Sequence, residues 1–230
     1  MKAIITGDII NSSRYNKEGR DDILLTLRKT IDKLEHRDQC DYSIFRGDSI
    51  QGLIYEPQNA LRHALYIKSS LKALKISSIN ESKSDLVKSK RIRSSEVDIR
   101  ISIGIGEVNY MRDRLEESDG EAFRYSGQEL DKMKSTGKGI ILKTSFPVVD
   151  NEWRVILALM DAIIHKWSVS SAELVLGKLE GWSDAELSKK FKISRAAVSF
   201  RKKYAGWESI KNALEYYEEM MANDLMLHQK

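Results

Sequence analysis

Near Val149 the hydrophobic period of the chain changes, and that change limits what the chain can fold into. Downstream of it no strand pattern remains. Trp153 to Trp167, Ser170 to Leu179, Ser183 to Phe191, Ser194 to Tyr204 and Glu208 to Met221 all carry apolar residues at helical spacing. Upstream, short apolar runs alternate with helical ones. The sequence therefore predicts two parts, residues 1–148 and an all-helical 149–230.

In the first part, KAIITGDII reads as a strand interrupted by Gly7 and Asp8. Asp21 to Leu34 follows as an amphipathic helix, with Ile23, Leu24, Leu27, Ile31 and Leu34 on one stripe and two aspartates at its positive end. Tyr42 to Phe45 and Ile50 to Tyr55 form a hairpin around Arg46-Gly47-Asp48-Ser49. A helix from about Pro57 to Leu74 comes next, with Pro57 suited to its first turn. Ser77 to Asp98, rich in Ser, Lys and Arg, reads as a loop. Ile99 to Val108 alternates as a strand does, Glu121 to Met133 is helical, and Gly139 to Thr144 closes the series. Strands that mix a hairpin with helical crossovers predict an α+β fold, with helices on one face of a mainly antiparallel sheet and the other face free.

Composition narrows the class further. Hydrophobic residues make up 41% of the chain, enough for a substantial core. No apolar run is long enough to cross a bilayer, and MKAIITGDII lacks the features of a secretory signal, so a cytoplasmic protein without a membrane partner is expected. Cys40 is the one cysteine and reads as a packed residue, while the four histidines are too scattered for zinc spacing. The net charge of +4 matters less than its distribution.

Between Lys189 and Lys203 lie seven Lys or Arg residues and no acid. Ser183 with Glu186 predicts a capping box, and Ser194 caps a second helix after a short turn. Ala197 and Val198 pack inward in this reading, and Arg195, Ala196, Ser199, Lys202 and Lys203 project outward. Glu186, Leu187, Phe191, Ile193, Ser194, Ala197 and Val198, with Ser188 in place of the usual alanine, resemble the helix-turn-helix of bacterial regulators and sigma-like factors. The resemblance implies DNA binding. Lys189, Lys190, Arg201, Lys202 and Lys203 would then contact phosphates, Arg195 and Ser199 would read base edges, and Ser194 and Ala196 would lie at the same surface. A homodimer is expected, since one such unit spans only a half-site. The four tryptophans, all in the second part, read as wedges between short helices. Glu208 to Met221 either closes the module or forms a dimer seam.

Asp8 ends the first strand and Asp48 sits at the hairpin tip, beside Gly7 and Gly47, where a polyanionic ligand could approach the backbone. Two carboxylates on adjacent strands suit Mg²⁺ or Mn²⁺ with a triphosphate, and they suit equally the capping of two turns. ITGDII at 5–10, FRGDSIQGL at 45–53, IRISIGIG at 99–106 and DGEAF at 119–123 resemble the SatD family of bacterial proteins. The same order is similar, more distantly, to class III nucleotidyl cyclases and the palm-domain group. That resemblance implies a palm or ferredoxin-like domain with Asp8 and Asp48 as metal ligands. The cyclases also carry an asparagine and an arginine on a late helix, and SGQELDKMKSTG at 126–137 has neither; Lys132 or Lys134 would serve as point charges on a bound nucleotide. Two functions follow: a transcriptional regulator whose palm-like domain senses a nucleotide or metal, or, alternatively, a Mg²⁺- or Mn²⁺-dependent nucleotidyl transferase or cyclase with a helical accessory domain.

Overall fold

The computed structural model describes residues 1–45, 47–76, 97–110, 112 and 115–227. The loop expected over 77–98 lies almost wholly outside the described residues. Strand β1 (Lys2–Ile9) runs into a short 3-10 turn and helix α1 (Lys17–Arg37), which Asn16 caps by accepting from the amide of Gly19. The hairpin β2 (Cys40–Phe45) and β3 (Ser49–Ile54) leads through a turn at Pro57–Asn59 to α2 (Ala60–Lys72). Then come β4 (Ile99–Gly106), the short pair β5 (Val108–Tyr110) and β6 (Asp119–Gly120), α3 (Glu121–Thr136) and β7 (Ile140–Lys143). Five strands form one sheet in the order β2-β3-β1-β4-β7, antiparallel throughout except for the parallel pair β4 and β7. The fold is α+β, as the strand and helix patterns require.

Strand alternation sorts the side chains between the two faces. Ala3, Ile5 and Ile9 of β1 and Ile99, Ile101, Ile103 and Ile105 of β4 join the main core with α1 and α2. Ile4 points the other way, into a small cluster with Leu53, Leu115, Ala122 and Phe123. That second face is not left free. Helix α3 lies across part of it, and Thr6 donates to Ser126 at 2.9 Å where the two meet. Gly104 makes the contact possible, because a Cβ there would stand 2.2 Å from the carbonyl oxygen of Ala122 and 2.6 Å from the amide of Ser126.

Past Lys143 the chain is wholly helical among the described residues: α4 (Pro147–Ile164), α5 (Val169–Leu179), α6 (Asp184–Phe191), α7 (Arg195–Ala205) and α8 (Trp207–Leu227). These helices pack onto α1 and α2, and one apolar core runs from β1 and β4 through α2 into α5 and α8. Polar ties cross the same seam: Arg37 donates to the carbonyl of Leu179, Tyr66 to Glu180, Arg62 twice to Glu218, and Tyr217 to the carbonyl of Pro57. Trp153 and Trp167 are fully buried between helices, and the indole N–H of Trp167 finds the carbonyl of Ala205 at 2.8 Å. No helix among the described residues is long and apolar enough to cross a membrane.

The clash at Gly104 is with backbone, which cannot rotate away. Gly104→Ala should cost about 3 kcal/mol or more, measured as a fall in urea midpoint with an unchanged slope; a loss under half of that would mean α3 can move off the sheet freely.

Candidate functional site: carboxylates, a cationic helix and a cleft

The antiparallel register of β1 with β3 sets Asp8 opposite Ser49, one residue from Asp48, and the amide of Ile9 donates to the carbonyl of Asp48 at 2.9 Å. The two carboxylates are thereby brought together. The hydroxyl of Ser49 lies 3.4 Å from one oxygen of Asp8 and 3.5 Å from one oxygen of Asp48, and Ser12 donates to the other oxygen of Asp48 at 2.8 Å. On the far side of β1, β4 sets Arg100 opposite Asp8, where the guanidinium takes the remaining Asp8 oxygen at 2.8 Å. Asp8 is thus already charge-paired within the fold.

Gly7 and Gly47 differ in what they do. Gly7 faces the α1 and α2 side of the sheet, where a Cβ would meet Ile50 and Ile99 at 3.0 Å, so it serves packing and lies on the face opposite Asp8. Gly47 holds the left-handed turn at φ 76° with open space around it. Next to the carboxylates, on the same face, Gln51 Oε1, Ser102 Oγ and Arg100 Nε are buried without a hydrogen-bond partner among the described residues. Strand pairing sets Gln51 and Ser102 on either side of Thr6, one rung from Asp8. Buried polar atoms are seldom left so.

The donor set offers hard oxygens only, which is the chemistry Mg²⁺ or Mn²⁺ selects. Asp8 and Asp48 fit such an ion as a sparse pair of ligands, one of them shared with Arg100. No group of three or more His, Cys, Asp or Glu side chains suited to a metal occurs among the described residues. Lys132 and Lys134 are exposed on α3, each paired one turn back, with Glu129 at 2.6 Å and Asp131 at 2.9 Å.

Helices α6 and α7 are joined by three residues, with Lys192 in the left-handed region at φ 53°. The capping box of Ser183 with Glu186 is formed, Ser194 accepts from the amide of Ala197 at 3.1 Å, and the Ser188 hydroxyl donates to the carbonyl of Ile193 at 2.6 Å, locking the turn. Leu187, Val198 and Ala205 are buried. Lys189, Lys190, Arg195, Ala196, Ser199 and Lys203 are exposed.

Two of the expected outward cations are not outward. Lys202 folds back to Asp184 at 2.9 Å, a carboxylate that also takes Lys178 and whose pKa these two lysines depress. Arg201 is half-buried, with its guanidinium 5.5 Å from the ring of Phe191. In their place the free face of α7 carries Phe200 and Tyr204, 63% and 71% exposed with ring centroids 4.8 Å apart. Helical spacing from Ala196 and Ser199 would have found both rings; counting cations passed over them.

A cleft of about 690 Å³ opens where the ends of β1, β4 and β7 meet the last turns of α2, α3 and α4. Lys68, Lys72, Asp98, Arg100, Lys134 and Asp161 are among its lining residues. Lys68, with 1% of its side chain exposed, donates at 2.7 Å both to Asp98 and to the carbonyl of Ile99. Burial alone would raise the pKa of Asp98, but Lys68, Lys72 and the amide of Ile99 outweigh it and hold the group below its ordinary value. Asp161 goes the other way: burial raises it, against the opposing pull of the Gly139 and Ile140 amides it accepts from.

No protein-family model matches the chain, and no curated protein matches it, so the SatD likeness rests on the quoted residues alone. Among solved structures, two that match are both titled as a bacterial light-regulated adenylyl cyclase. One aligns at 14% identity over 61% of this chain and 74% of that chain with a TM-score of 0.40, and the other at 16% over 61% and 42% with a TM-score of 0.39. That is a distant likeness of α+β fold, and it brings no activity with it.

A carboxylate held below about pH 3.9 by its partners stabilises the fold above that value and loses the contribution as the pH falls through its depressed pKa. Asp98→Asn should therefore flatten the acid limb of the stability profile below about pH 4. At neutral pH it should cost about 3 kcal/mol, because Lys68 is left buried without a carboxylate. Thermal unfolding of the two proteins from pH 3 to 8 measures both effects, and parallel profiles would show that Asp98 carries no such linkage.

Proposed function

We propose that the chain is a DNA-binding regulator in which α5 to α7 form a helix-turn-helix, with α7 entering the major groove. One observation carries this reading: Arg195, Ser199 and Lys203 share the exposed side of α7, flanked by Lys189 and Lys190 of α6, while Val198 and Ala205 anchor its inner side. A guanidinium at the first helical position can pair bidentately with guanine, and the flanking lysines add salt-dependent phosphate contacts. Lys202 belongs to the frame of the module, and Arg201 to its packing. Because one unit spans a half-site, the functional form is a symmetric dimer. The part spanning 1–148 acts in this reading as a sensor, with Asp8 and Asp48 receiving a metal-bound nucleotide.

A second reading, a Mg²⁺- or Mn²⁺-dependent nucleotidyl transferase, draws support from the convergence of Asp8 and Asp48 on the Ser49 hydroxyl. A bound ion there would neutralise and orient a triphosphate. Against turnover stand the Arg100 guanidinium on Asp8 and the absence of asparagine and arginine from 126–137.

Electrophoretic mobility shift against DNA from the protein's own promoter region tests the first reading. The parent protein should shift it in a salt-sensitive way, Arg195→Ala should weaken binding about tenfold, and Lys203→Ala should lower the salt slope by about one. A parent protein that gives no salt-sensitive shift sinks the proposal. Conversion of labelled nucleoside triphosphate, lost in Asp48→Ala, would move the assignment to the enzyme.

A further inference from the structure

The cleft above the sheet holds more positive charge than its own carboxylates meet. Five cationic side chains line it, Lys68, Lys72, Arg100, Lys134 and Lys138, against two carboxylates, Asp98 and Asp161. Both acids are committed, Asp98 to Lys68 and Lys72 and Asp161 to the amides of Gly139 and Ile140. The last turns of α2, α3 and α4 end at the same place, and each helix terminus contributes about half a negative charge. An excess of roughly one to two positive charges is left after that offset.

Several donors are available to use it. Arg100 Nε is buried with no hydrogen-bond partner, and Lys138 has no ion-pair partner among the described residues. Lys134 holds only the exposed Asp131, a kind of pair that is exchanged at little cost. Lys138 stands between Gly137, left-handed at φ 68°, and Gly139, so the backbone carrying it can lie close to an occupant. The cavity is of the size that takes small metabolites.

We propose that this cleft binds a phosphate-bearing small molecule, gripped by Arg100, Lys134 and Lys138. A phosphate dianion matches the surplus charge, and it matches three separate donors better than a single carboxylate does. The site is distinct from the Asp8 and Asp48 pair but shares Arg100 with it. An anion in the cleft therefore competes with Asp8 for one guanidinium, so that occupying the cleft and loading a cation onto Asp8 favour each other.

Calorimetric titration of the full-length protein with inorganic phosphate and with pyrophosphate, in the presence of a metal chelator, tests the proposal. Saturable binding is expected without any divalent ion. Lys134→Glu and Lys138→Glu, both at exposed positions, should each weaken it about tenfold, with unfolding midpoints confirming that the variants keep their fold. Asp8→Asn should leave the affinity intact or raise it, because Arg100 is released. No saturable binding of either probe overturns the proposal, as do glutamate variants that bind like the parent. Binding that demands Mg²⁺ and disappears in Asp8→Asn overturns it as well, since the ligand would then ride on the carboxylate pair. None of these outcomes bears on whether α7 binds DNA.

Discussion

Helix α2 is enclosed on almost every side, with twelve of its thirteen residues buried, and it carries Lys68 and Lys72 into the interior. A buried ammonium must be met by a carboxylate inside the fold or it will not stay charged. Asp98 answers that requirement from the start of β4, and its own depressed pKa is the other side of the same interaction. Once Asp98 is pinned there, the antiparallel register of β4 with β1 places Arg100 against Asp8 and Ser102 beside Thr6. The polar end of the sheet and the cleft behind it are thus both consequences of how α2 is buried.

Much of this was open to inspection in the sequence, because local rules govern it. The stripe Ile23, Leu27, Ile31, Leu34 predicts α1, and its extension to Lys17 reflects only the Asn16 cap, which helical spacing does not register. Alternation in IRISIGIG marks β4, and the change of period near Val149 precedes a run of helices beginning at Pro147. The position of α3 on the second face was beyond reach. Its approach depends on Gly104 lying under Ala122 and Ser126, a coincidence of two segments that no periodicity encodes. The near-complete burial of α2 was hidden for a similar reason, since Lys68 and Lys72 read as solvent-facing until Asp98 is known to be beside them.

The sites divide in the same way. Asp8 and Asp48 were readable as a pair because a hairpin and its neighbouring strand are close to a local structure, whereas Arg100, on a strand reached only after two helices, could not be joined to Asp8 without the register. In the helical part, both caps and the turn follow from Ser183, Glu186 and Ser194, residues whose hydrogen bonds lie within three positions of themselves. Lys202 was misjudged because its partner Asp184 sits just outside the acid-free window that made the segment look uniformly cationic. Cys40 is the plainest case of agreement: it is buried, and burial with the nearby Glu35, Asp38 and Asp41 raises its thiol pKa to about 12, which keeps it from acting as a nucleophile.

The route from the sheet to α7 runs through packed helices. Helix α2 packs against α5, Glu180 just beyond α5 accepts from Tyr66 and pairs with Lys33, and the next turn of chain leads into the capped α6. Leu187 of α6 and Val198 of α7 belong to the same core as Leu174 and Val175 of α5. A helix fixed in this way cannot be repositioned without disturbing α5, and α5 cannot shift without straining the Tyr66 and Arg37 ties to the first part. Any influence of the carboxylate pair or the cleft on α7 would have to act through that rigid stack, as a change in how whole helices are set, because no loose linker intervenes to absorb it.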